Sequence, residues 1–167
     1  MKPCDLVVTR MGARFMGRTF PCSIGKHGTT EAKREGDGKT PLGTHRFVGM
    51  LYRPDRLSPR QLPDWALPFG TSDLWSDDPR DPDYNLMVRA PHAYGHERLT
   101  RPDPMYDLIL LTDWNWPMSV AGRGSAIFVH TWRRPGHPTA GCVALRQSDL
   151  LWIANRIRHQ TRLIIRP

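Results

Sequence analysis

Nowhere does this chain string together the roughly 18 apolar residues that a membrane-spanning helix requires, so stable insertion into a membrane is not expected. Met1 to Arg10 holds no apolar h-region and no small-residue cleavage site, so no export signal is visible there. Cysteine is scarce: Cys4, Cys22 and Cys142 are all there is, and an odd count leaves at least one thiol unpaired. Cys4 and Cys22 fall in two expected N-terminal strands. They pair if those strands are neighbours; the preferred reading is two small buried apolar residues. Neither shows zinc-ligand spacing. Acidic residues are outnumbered, 16 against 24 Lys and Arg, for a net charge of +8. That balance permits a polyanionic partner. Yet the arginines spread from Arg10 to Arg166 with no nucleic-acid motif, so a solvated basic surface and no nucleic-acid partner are expected. No internal repeat is evident.

Sixteen prolines and 14 glycines are plentiful and leave little room for long helices. With 39% apolar residues, the 167 residues suffice for a single domain with a real core, residues 1–167. Leu6-Val7-Val8 and Arg14 to Phe20 read as strands around a Met11-Gly12 turn. Thr44 to Val48 alternates as a strand after the turn-rich Gly36 to Gly43. Residues 53–105 read as a long loop region, its first part rich in Pro and Asp and folded over Trp65 and Trp75. Tyr106 to Thr112 and Ala126 to His130 suit buried strands, and Leu163 to Ile165 a last one. Ser148 reads as a helix N-cap before Leu150, Ile153, Ala154 and Ile157 at helical spacing, with Arg156 and Arg158 at the cationic end. The expected fold class is mostly β with one C-terminal-region helix (α+β).

The chemistry sits in Ala126-Ile127-Phe128-Val129-His130 followed, one loop later, by Thr139-Ala140-Gly141-Cys142. A thiol becomes a competent nucleophile when a base takes its proton, and imidazole is the usual acceptor. Cys142 is the candidate nucleophile, with thiolate expected near neutral pH. Gly141 permits the sharp turn and close substrate approach, and the Cys142 amide is a candidate oxyanion donor. His130, fixed at a strand end, is the preferred base over His137, which sits in a loop. His92 and His96 have i, i+4 spacing, but Pro91 and Gly95 oppose the helix that would make a metal site of them, so no metal is expected. Thr139, His96, Glu97 and Tyr84 are candidate cleft residues, as are Trp114, Asn115 and Trp116. Tyr106 and Asp107 are read as lining or buttressing the cleft.

These residues resemble the L,D-transpeptidase (YkuD) catalytic domain. That family carries a histidine at a strand end and, downstream, a [Ser/Thr]-x-Gly-Cys signature, here His130 and Thr139-Ala140-Gly141-Cys142. Thr40-Pro41-Leu42-Gly43 resembles its T-P-x-G strand entry, and Gly122 to Phe128 its approach to the histidine. Together the elements span residues 36–145.

The resemblance implies a β-sandwich whose cleft carries the His and Cys. It also implies a cofactor-independent monomer in the periplasm or cell envelope, acting on peptidoglycan stem peptides (muropeptides) in wall biogenesis and cell shape. Its Cys forms a thioester that a neighbouring amine resolves into a cross-link; water gives an L,D-carboxypeptidase instead. A non-catalytic wall-binding module is the remaining alternative. Ala140 stands where the family often has His, and Ala144 where it often has Arg or Asn. Arg146, Arg98 and Arg133 are candidates for the lost carboxylate contact, since Arg binds carboxylates bidentately. The TAGCVAL signature and small size resemble a short proteobacterial branch that joins L-Ala, the first stem residue, to diaminopimelate in (1,3) cross-links.

Overall fold

Glycine turns and prolines cut the chain into short strands, and in a computed structural model residues 2–167 are described. The first four strands are β1 (Leu6–Thr9), β2 (Gly12–Phe15), β3 (Arg18–Phe20) and β4 (Cys22–Ser23). The sequence reads Arg14 to Phe20 as one strand. Met16 and Gly17 both take positive φ (48° and 77°), the backbone of a two-residue hairpin turn, and split it in two. Next come β5 (Thr29–Thr30), β6 (Thr40–Pro41), the ten-residue β7 (Gly43–Tyr52) and β8 (Leu67–Pro68).

The 53–105 region is more ordered than a loop. β9 (Asp73–Ser76), β10 (Met87–Arg89) and β11 (His96–Arg98) form a small sheet in the order β10-β9-β11. Trp75 is buried there, packing edge-on against Phe128 with ring centroids 4.8 Å apart. β12 (Leu108–Thr112), β13 (Phe128–Thr131), β14 (Val143–Leu145), α1 (Gln147–Ala154) and β15 (Arg162–Ile165) complete the chain.

The protein is mostly β with one α-helix among the described residues. A single path of strands runs β3-β2-β1-β15-β7-β12-β13-β14-β4, with β8 added beside β7. β2 and β4 approach each other, so the path nearly closes on itself. Most pairings are antiparallel; β1–β15, β7–β8, β13–β14 and the separate pair β5–β6 are parallel.

Side chains alternate across a strand, and this explains the continuous apolar runs. Leu108, Leu110, Val129, Val143 and Leu145 enter a core shared with α1. Ile109, Phe128 and Cys142 join a second cluster with Trp75, Leu99 and Tyr106. Both faces are therefore buried, as an uninterrupted apolar strand demands.

The helix starts two residues earlier than the cap signal suggests. Arg146 is the N-cap and makes no side-chain cap bond, while Ser148 lies inside the first turn. Leu150, Ile153 and Ala154 are fully buried. Burying each large aliphatic side chain is worth about 1.5–3 kcal/mol, against about 1 kcal/mol for a cap, so packing sets this helix. Arg156 and Arg158 lie beyond its end and donate to the carbonyls of Trp152 and Asn155. Cys4 and Cys22 are both free and half-buried. No helix among the described residues is long and apolar enough to cross a membrane.

Candidate active site

β13 and β14 run parallel although only a loop joins them, and the register fixes the site. Val129 pairs with Val143 and His130 with Ala144. Val129 and Val143 point into the helix-side core. By alternation Phe128 and His130 share the opposite face with Cys142 and Ala144. Cys142, His130 and Ala144 all line one cleft of about 640 Å³. The candidate nucleophile and candidate base read from the sequence thus stand on one face of adjacent strands.

Gly141 enters this turn with φ +154°, and a Cβ there would lie 2.9 Å from the Lys39 carbonyl oxygen. Thr139 ties the turn together. Its hydroxyl donates to the Cys142 carbonyl (2.6 Å) and accepts from the Gly141 amide (3.1 Å). Beneath it, the Thr40 hydroxyl accepts from the Gly25 amide at 2.8 Å, and Gly25 bridges to Thr139. The T-P-x-G segment therefore supports the loop that presents the cysteine.

The Cys142 sulfur donates to the Ala126 carbonyl at 3.0 Å and accepts from the Phe128 amide at 3.4 Å. The residue is 8% exposed. Burial pushes its thiol up to about 12, the Phe128 amide working against that shift, Glu97 reinforcing it and Lys33 opposing it. His130 is buried, and burial pulls its imidazole down to about 4. The thiolate expected near neutral pH is thus disfavoured: burial holds both the thiol and the imidazole in their neutral forms. His130 Nδ1 donates to the Thr131 carbonyl at 2.8 Å, which leaves Nε2 as the lone-pair nitrogen. The Tyr106 ring meets the His130 ring edge-on at 5.1 Å, and its hydroxyl donates to Glu97 at 2.7 Å. Glu97 is held above the usual carboxylate range by burial first, and by the neighbouring Asp77 and Glu35 charges.

Of the substrate-side candidates, Thr139, His96, Glu97, Arg98 and Arg133 line the cleft with Cys142 and His130, as does His137. The others lie elsewhere. Arg146 caps α1. Tyr84 is buried behind the wall, donating to Glu35 and accepting from the Gly124 amide. Asn115 spans the 113–124 loop through bonds to Val120 and Gly124. Trp114, Asn115 and Trp116 line a separate hollow of about 400 Å³ beside His45. Asp107 is buried against Arg56. His92 pairs with Asp81 at 2.6 Å. The charged cleft residues Lys26, Lys33, Glu35, Asp77 and Arg101 went unread from the sequence. They sit in charged stretches that look like ordinary solvated surface.

No curated protein and no solved structure matches the chain. A sequence profile of the L,D-transpeptidase catalytic domain (YkuD) matches residues 6–165. With nearly its full length covered, the chain belongs to the YkuD family of L,D-transpeptidase catalytic domains.

Proposed function

We propose that the protein is a peptidoglycan L,D-transpeptidase of the cell envelope working through a Cys142 thioester, with His130 as general base. The observation that carries this reading is the shared face of β13 and β14, which lines one cleft with a thiol and a tautomer-fixed imidazole. The sulfur turns from the Ala126 carbonyl as the donor carbonyl enters. The S–C bond forms while the thiol proton passes to His130 Nε2. That proton then goes to the leaving nitrogen as the C–N bond breaks. The Cys142 amide is assigned to the oxyanion. An acceptor amine attacks the thioester, hands its proton to Nε2, and the sulfur recovers a proton as it leaves. Burial of both groups favours this coupled transfer over a standing ion pair, since separated charge is costly in an apolar site.

The cleft suits a zwitterionic peptide. Glu35, Asp77 and Glu97 line it together with Arg98, Arg101 and Arg133, a mixture of charges matched to the amines and carboxylates of diaminopimelate. Ala140 and Ala144, small where the family often carries His and Arg or Asn, favour a donor other than the common third residue, and we assign L-Ala–diaminopimelate (1,3) linkage.

Intact-mass measurement of the protein with purified muropeptides tests this, followed by fragmentation of any dimer. An acyl adduct on Cys142 and a dimer joined through L-Ala are expected, both absent in Cys142→Ala. Trimmed monomers without dimers would make the protein a carboxypeptidase. Binding without any adduct would make it a non-catalytic wall-binding module.

A further inference from the structure

Lys33 is a buried cation that the mechanism above does not use. The residue is 7% exposed, and lysine is almost never that buried unless paired. Its ammonium donates to Asp37 at 2.6 Å and to the Arg34 carbonyl at 2.7 Å. Asp37 is itself anchored, accepting from the Arg34 and Lys39 amides at 2.8 Å each. Burial opposes the Asp37 charge, yet Lys33 and these amides hold its carboxyl below the usual range. The ammonium therefore cannot wander.

Two glycines make room for its stem. A Cβ on Gly124 would lie 3.1 Å from Lys33 Cγ, and one on Gly141 would lie 3.6 Å from Lys33 Cε. Gly124 lies just ahead of the segment leading into the His130 strand, and Gly141 immediately precedes the cysteine. The lysine is wedged between the two segments that carry the site. Of the other titratable groups around the sulfur, Glu97 disfavours negative charge there, Tyr106 is a neutral phenol that donates to Glu97, and His130 is neutral at rest.

We propose that Lys33 is a positioning residue for the nucleophile: its ammonium, locked beside the Gly141–Cys142 turn, supplies the fixed positive charge that lets the sulfur become anionic during attack. A charge held in a site of low dielectric acts more strongly than one in water and needs no reorganisation as the reaction proceeds. The inference rests on Cys142 being the nucleophile. Its readout needs no substrate, so a missing charge effect and a missing peptidoglycan activity are seen separately.

The experiment is the pH profile of Cys142 alkylation by iodoacetamide in the full chain, with Cys4 and Cys22 changed to Ser. Lys33→Met is expected to move the apparent thiol pKa up by about one unit and slow alkylation about tenfold below it. Lys33→Arg keeps the charge and returns most of that loss. Asp37→Asn removes the neutralising partner and leaves the ammonium, so its profile moves the other way, toward lower pH. A purely structural ion pair would shift both variants alike or neither. A Lys33→Met profile that overlays the parent, or an Asp37→Asn profile displaced upward, would overturn the proposal. If Lys33→Met does not fold, the direction of the Asp37→Asn shift decides alone: downward supports the charge effect, and no shift or an upward one refutes it.

Discussion

His130 donates its Nδ1 hydrogen to the carbonyl of its own neighbour Thr131, at 2.8 Å. A main-chain acceptor holds the ring, so the tautomer is set by the strand and not by a carboxylate. The acceptor is neutral and the residue is buried, so little offsets the cost of protonating the imidazole.

That arrangement fixes a pH dependence of stability. Burial lowers the His130 pKa from 6.5 to about 4. Above 6.5 both folded and unfolded forms hold the neutral ring, and no stability is at stake. As pH falls from 6.5 toward 4 the unfolded chain takes a proton that the folded one refuses. Stability is then lost, about 3 kcal/mol over the window. Urea denaturation from pH 7 to 4 is expected to show this slope in the parent and a shallower one in His130→Leu. Equal slopes would mean that the ring is not held neutral.

The Thr139 hydroxyl makes two bonds inside the Gly141–Cys142 turn, to the Cys142 carbonyl and from the Gly141 amide. Thr139→Val keeps the shape and removes both. The cost is expected at about 1–3 kcal/mol, because a partly buried amide loses its acceptor. Thr139→Ser retains the hydroxyl and is expected to stay within about 1 kcal/mol of the parent. Iodoacetamide alkylation of Cys142 should change in the valine variant and hold in the serine one. Indistinguishable valine and serine variants would show that the turn is held by packing alone.

How much of this was legible beforehand depends on how unusual each group is in its surroundings. His130 and Cys142 stand out because an imidazole at an apolar strand end and a thiol after a glycine are chemically conspicuous. The structure adds the parallel register that puts them on one face, which spacing alone does not reveal. Lys33 was invisible, since Glu31-Ala32-Lys33-Arg34-Glu35 reads as solvated charge. Only the long-range approach of Gly124 and Gly141 buries it. Trp114 and Asn115 look like cleft residues in sequence, yet they line the second hollow, because Asn115 ties the loop to Val120 and Gly124. Ser148 has the chemistry of a cap, but the buried spacing of Leu150, Ile153 and Ala154 sets the helix start instead.

Tyr84 buttresses the cleft wall from behind. Its hydroxyl donates to Glu35 and accepts from the Gly124 amide at 3.0 Å, while Ser125 donates to the same carboxylate at 2.7 Å. Tyr84→Phe leaves the buried amide without an acceptor and is expected to cost about 1–3 kcal/mol by thermal or urea denaturation. The Gly141–Cys142 turn is untouched, so Cys142 alkylation should move far less than in Thr139→Val. A large alkylation change with unaltered stability would place Tyr84 in the chemistry.

Gly141 and Gly136 provide a matched pair. Both have positive φ, +154° and +72°. At Gly136 nothing lies within 4 Å of an added Cβ, so Gly136→Ala meets backbone strain alone, about 1 kcal/mol. At Gly141 the same methyl would sit 2.9 Å from the Lys39 carbonyl oxygen and 3.2 Å from Ile127 Cδ1. Backbone atoms of the 33–40 segment cannot swing aside as a flexible side chain can. Gly141→Ala is therefore expected to cost about 3 kcal/mol or more, strain and overpacking together. It should also displace Cys142, so acyl-adduct formation falls with it. Denaturation of the two variants side by side measures the difference. Equal costs would mean that the turn relaxes freely and that its fit against Lys39 does not hold the cysteine in place.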